Sequence, residues 1–88
     1  MTPVLIKLIN MGDPDDWDLY AQQAVSSWIE TDEYKKIQSF GLTADSYKYH
    51  DENNWGGNYN LSGCGVYCDS YDPKNLTLAL LAGVIPTN

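Results

Sequence analysis

His50, Cys64 and Cys68 are the side chains best suited to hold a metal or attack a substrate. Zinc takes thiolate and imidazole ligands, with Asp51 or Asp69 as a fourth. A zinc site usually needs a second close ligand pair, and this chain has two Cys and a single His. A Cys nucleophile with His50 as its base would require three residues from neighbouring strands to converge, and no nucleophile signature surrounds either Cys. If residues 64–68 form a strand, the two thiols share one face about 13 Å apart, too far for a disulfide. A turn at Gly65 would be needed to bring them together, and in a reducing cytosol both are expected as thiols facing a core. Trp55-Gly56-Gly57-Asn58 lacks the glycine spacing and the lysine of a phosphate-binding loop. The expectation is a protein without catalytic residues, metal or cofactor, and not an enzyme.

Two further groups suit recognition rather than reaction. Asp13, Asp15, Asp16 and Asp18 would lie within about 8 Å of helix axis. Helix capping and compensation of the helix dipole occupy two or three of them. Asp18 has neither duty, and so dense a group matches a surface rich in Lys and Arg. Tyr47, Tyr49, Trp55, Tyr59, Tyr67 and Tyr71 interleave aromatic rings with Asn, Gly, Ser and Asp. Rigid amphipathic rings supply contact area in such a mixture, and small polar residues supply adaptable hydrogen bonds. Tyr47, Tyr59 and Tyr67 can equally pack on helices with their hydroxyls in water. The candidate partner-binding residues are Asp15, Asp16, Asp18, Tyr47, Tyr49, Trp55 and Tyr59.

The elements that must position these groups follow from local pattern. Val4 to Ile9 is a short apolar, β-branched run without helical period, which predicts a buried strand. Asp13-Pro14 is a helix start, and Trp17, Ala21, Ala24 and Trp28 recur at helical spacing, predicting an amphipathic helix over 14–30 with both tryptophans in the core. Thr31-Asp32 offers a second cap before a helix over 32–40, or a continuation of the first across a kink, ending at Gly41. Ser46 to His50 reads as a strand, 51–57 as a turn with Trp55 exposed at its tip, and 58–68 as a strand that Gly63 and Gly65 bulge or break. Asp72-Pro73 repeats the start signal for a helix over 73–82, although Leu76 to Leu80 also alternates like a terminal strand.

The resulting layout is α+β, a small antiparallel sheet of about three strands with helices on one face, in the order β-α-α-β-β-α. At 88 residues and 43% apolar composition, the chain suits one compact domain over residues 1–88. A chain of this size buries roughly 64% of its unfolded surface.

Charge narrows the function classes. Twelve acidic residues face five basic ones, all Lys, for a net charge of −7. Clustered Lys and Arg, which a phosphate backbone or an anionic membrane requires, are absent. No apolar run approaches the roughly 20 residues of a spanning helix, and Lys7 interrupts the only N-terminal one, so neither membrane insertion nor a signal peptide is expected. The expected location is the cytoplasm.

Small size, absence of Arg and of a catalytic constellation, and distributed negative charge resemble, in kind, the phage-encoded anti-CRISPR and antirestriction proteins, several of which are nucleic-acid mimics. The resemblance covers composition rather than motifs. It implies an acidic interaction module that inhibits a nucleic-acid-handling complex by occupying a basic protein surface, with no direct nucleic-acid contact. The alternative from the residues themselves is a module binding a sugar or nucleotide through the aromatic, Gly/Asn-rich segment 45–71.

Overall fold

A computed structural model describes residues 2–12, 15–51 and 62–86. Its elements run β1 (Val4–Gly12), α1 (Trp17–Trp28), α2 (Asp32–Gln38), β2 (Ser46–Asp51), β3 (Ser62–Cys68) and α3 (Pro73–Ala82). The three strands form one antiparallel sheet in the order β1-β3-β2. The α+β layout and its β-α-α-β-β-α order are as the local patterns predict. No helix among the described residues is long and apolar enough to cross a membrane.

Strand β3 is central, and its alternation sets the two faces of the sheet. Cys64, Val66 and Cys68 are fully buried and point to the helices, where Ile6, Trp28, Tyr34, Ile37, Leu42, Ala79 and Ile85 complete the core with Val66 and Cys68. Gly63, Gly65 and Tyr67 face the other way. A Cβ on Gly65 would meet Leu5 Cδ1 and Tyr67 Cε1 at 3.1 Å each, so these two side chains close over the glycine. The Lys48 ammonium lies 5.5 Å from the Tyr67 ring centroid.

The irregularity expected at Gly63 and Gly65 falls instead on the neighbouring strand. Strand β3 is unbroken from Ser62 to Cys68, and its pairing with β2 runs in register throughout. Strand β1 carries the shifts, between Leu5 and Lys7 and between Asn10 and Gly12. An extra residue in one strand of a pair re-aims the side chains after it. Ile6 enters the core at 1% exposure, and the shift also places Lys7 opposite Val66, on the helix side. Lys7 there reaches Glu33 of α2 at 2.8 Å.

Helix α1 begins three residues later than the Asp13-Pro14 signal predicts. Asp16 is the N-cap, and its carboxylate accepts from Leu19 N at 3.3 Å. Asp13 and Pro14 lie outside the described residues. The helix ends at Trp28, whose carbonyl accepts from the amide and the hydroxyl of Thr31 at 2.9 and 2.6 Å. Thr31 in turn accepts from Tyr34 N and caps α2. The two segments are therefore separate helices rather than one kinked helix. Of the expected stripe on α1, Ala21 and Trp28 are buried whereas Trp17 and Ala24 are half-buried. Asp72 caps α3 with Pro73 in its first turn, and left-handed Gly83 ends it with Val84 N bonded to Ala79 O.

Candidate interaction surface

Trp17 joins the two groups of candidate residues. It is the first residue of α1, flanked by Asp16 and Asp18, with Asp15 two residues before it, and all three carboxylate-bearing residues are exposed. Its ring centroid lies 5.5 Å from that of Tyr49 at an interplanar angle of 66°, and 6.3 Å from that of Tyr47 at 44°. Both distances fall in the range of favourable tilted aromatic pairs. The indole Nε1 also donates to the Gly63 carbonyl at 3.3 Å, which fixes the ring against the central strand.

Strand pairing explains why both tyrosines meet this ring. Tyr47 pairs with Val66 and Tyr49 with Cys64, so both project from edge strand β2 to the helix side. Tyr47 packs against the core, whereas Tyr49 is 56% exposed. The start of α1 thus carries exposed carboxylates on either side of an indole that packs against an exposed tyrosine. Tyr47 and Tyr49 pack on Trp17, whose neighbours along the chain are the exposed Asp15, Asp16 and Asp18. Trp55 and Tyr59 lie outside the described residues.

Sequence reasoning assigned Trp17 to the core and so missed the residue that packs Tyr47 and Tyr49 against the start of α1. The available signal was its position at the N-terminal end of the stripe, in the first turn of the helix. The parity shared by Tyr47 and Tyr49 was a second signal, since it puts both rings on the helix side.

The thiols have a different setting. Cys64 and Cys68 are free and fully buried. Burial pushes the Cys64 thiol above its ordinary pKa, the reverse of the shift that makes a thiolate nucleophile. Cys68 Sγ donates to Ser70 O at 3.3 Å. Among the described residues no three His, Cys, Asp or Glu side chains converge to hold a metal.

Two carboxylates outside the surface bind the framework together. Glu33 accepts from Lys7 and from Trp28 Nε1, and these bonds hold its carboxyl below the ordinary glutamate pKa. Asp45 accepts from Thr43 Oγ1 and from Asp69 N, each at 2.8 Å, and these bonds lower its pKa. The Asp45 contacts tie the approach to β2 to the exit from β3, which fixes the strand that carries Tyr47 and Tyr49.

An open groove of about 700 Å³ lies at the opposite edge of the sheet, lined by Ile6, Leu8, Lys36, Val84 and Ile85 around the Lys7–Glu33 pair. No described residue of the aromatic segment 45–71 lines it.

No protein-family model matches the chain, and neither a curated protein nor a solved structure shows a significant match to it.

Proposed function

We propose that this chain is a small acidic interaction module that inhibits a nucleic-acid-handling protein complex in the cytoplasm, in the manner of phage anti-CRISPR or antirestriction proteins. It occupies a basic surface on that partner. The observation that carries this reading is the edge-to-face packing of Trp17 on the exposed Tyr49 and its tilted packing on Tyr47, at a helix start where Asp15, Asp16 and Asp18 are exposed. The net charge of −7 supports it further. A negatively charged patch steers diffusion toward a Lys/Arg-rich surface and accelerates the encounter. Shape and aromatic contact then hold the complex, since rings at the centre of an interface contribute more to affinity than charges at its rim.

The test uses a guide-RNA-bound nuclease or a restriction enzyme from the native host. Added wild-type protein is expected to abolish nucleic-acid binding or cleavage, with an association rate that falls steeply as salt shortens the Debye length from about 10 Å at 0.1 M to about 3 Å at 1 M. Reversal of Asp15 and Asp18 to Lys is expected to slow association and restore part of the activity. The Asp16 and Asp72 caps remain intact in that variant. An association rate insensitive to both salt and the reversal overturns the electrostatic mechanism.

A further inference from the structure

We propose that Tyr49, held edge-to-face by Trp17 at the helix start that carries exposed Asp15, Asp16 and Asp18, is a seat for an arginine side chain of the partner; this rests on the docking reading above. The occupant is the guanidinium of an Arg-rich segment. Three observations converge on it.

First, the ring is presented rigidly. Tyr49 sits on strand β2, its neighbour Trp17 is fixed by the Nε1 bond to Gly63 O, and more than half of the tyrosine (56%) is open to water. A cation gains from the negative face of such a ring, and a planar guanidinium can stack on it while losing little hydration.

Second, the carboxylates at the start of α1 have no ion-pair partner among the described residues. Among the described residues the ion pairs are Lys7 with Glu33 and Lys35 with Asp32, and neither involves Asp15, Asp16 or Asp18. Asp16 contributes Oδ1 to the cap. The positive pole of α1 is worth about half a charge, which three carboxylates outweigh.

Third, the lysine closest in sequence is turned away. Lys48 adjoins Tyr49, but strand alternation sends it to the other face of the sheet, where its ammonium lies 5.5 Å from the Tyr67 ring centroid. The protein thus makes a cation–tyrosine contact of its own on the outer face, and among the described residues none is made to Tyr49 on the helix side.

Arginine is favoured over lysine because only its flat, weakly hydrated head can stack on the ring and still bond a carboxylate through its fork of donors. The expected preference is about two- to fivefold, the factor an exposed cation–π contact supplies.

The test is a titration of the full chain with fluorescently labelled nona-arginine and nona-lysine peptides at low salt, read by anisotropy. Wild-type protein is expected to bind the arginine peptide more tightly by that factor. Tyr49→Leu is expected to erase the factor through the arginine peptide alone, leaving lysine-peptide affinity in place, and Tyr49→Phe to retain it. Tyr49→Thr replaces the leucine variant if circular dichroism shows the latter unfolded. The double change Asp15→Asn and Asp18→Asn is expected to weaken both peptides alike. A wild-type preference that survives Tyr49→Leu, with both peptides still weakened by the Asn changes, overturns the seat and leaves acidic docking standing. Failure of both peptides to bind wild-type protein at low salt overturns the seat and the docking reading together.

Discussion

The Trp28 indole donates to the Glu33 carboxylate at 2.8 Å across the short link between α1 and α2. The same carboxylate oxygen receives the Lys7 ammonium, also at 2.8 Å. One side chain therefore joins the end of α1, the start of α2 and the edge strand β1. These bonds lower the Glu33 pKa, the Lys7 bond most and the Trp28 bond next.

A carboxylate with a depressed folded pKa adds stability that is complete above its unfolded pKa and is lost as pH falls through the folded value. Glu33 is therefore expected to stabilise the fold fully at neutral pH and progressively less below about pH 4.5, the ordinary value it departs from. Asp45 adds to the same slope below its own ordinary value of 3.8. Glu33→Gln keeps an acceptor for the indole but loses the charge that holds Lys7. Because Glu33 is half exposed, the expected cost at pH 7 is about 0.2–1 kcal/mol. Urea melts of the two proteins should differ by that amount at pH 7 and converge as pH falls through the lowered Glu33 pKa.

Gly41 and Gly83 both adopt left-handed backbone, with φ of 82° and 71°, but their surroundings differ. A Cβ on Gly83 meets nothing within 4 Å, whereas one on Gly41 would come 2.6 Å from Asn75 Nδ2. Gly83→Ala is expected to cost about 1 kcal/mol from backbone strain alone. Gly41→Ala adds displacement of Asn75 and so is expected to cost more. Equal melting temperatures for the two variants would show that Asn75 moves aside freely.

The two thiols sit on one face of unbroken strand β3, both fully buried. They are expected to resist a thiol reagent such as dithionitrobenzoate in the folded protein and to react at a rate set by opening of the sheet. Mild denaturant should accelerate both together. Fast labelling of one Cys in native buffer would contradict the packing of the core face.

Legibility in the sequence followed the range of the interactions responsible. The bounds of helix α3 could be read because Asp72, Pro73 and Gly83 act within a turn of the backbone they cap, although the alternation of Leu76 to Leu80 left a terminal strand open until packing against the sheet decided it. The start of α1 offered several capping residues in a row, and the choice of Asp16 goes with Trp17 docking on Tyr47 and Tyr49, contacts some thirty residues away in sequence. The shifts in β1 were hidden for the same reason, since register belongs to a pair of strands, and the glycines that suggested irregularity lie in the partner. Lys7 and Glu33 are likewise distant in sequence, and only the shift after Leu5 turns Lys7 toward the helices. The acidic and aromatic halves of the candidate surface were legible as separate groups. Their junction was not, because Trp17 satisfied the helical stripe that points to a core.

Trp17 offers a way to separate geometry from charge at that surface. Trp17→Ala leaves the net charge of −7 unchanged but removes both ring contacts and the bond to Gly63 O. Fully buried Trp→Ala changes cost about 3–5 kcal/mol, and for a half-buried ring about 1–3 kcal/mol is expected, which a small domain can tolerate. Steering by the carboxylates persists in this variant, so its association rate with a basic partner should match that of wild type. The mispositioned tyrosines should instead raise the dissociation rate. Trp17→Phe keeps a ring against Tyr47 and Tyr49 and should fall between the two. The reversal of Asp15 and Asp18 predicts the opposite division, with slower association and little change in dissociation, because long-range charge acts on the encounter and packing on the lifetime. Stopped-flow traces of the three variants measured side by side distinguish these outcomes. Dissociation unchanged in a folded Trp17→Ala protein would remove the aromatic cluster from the interface.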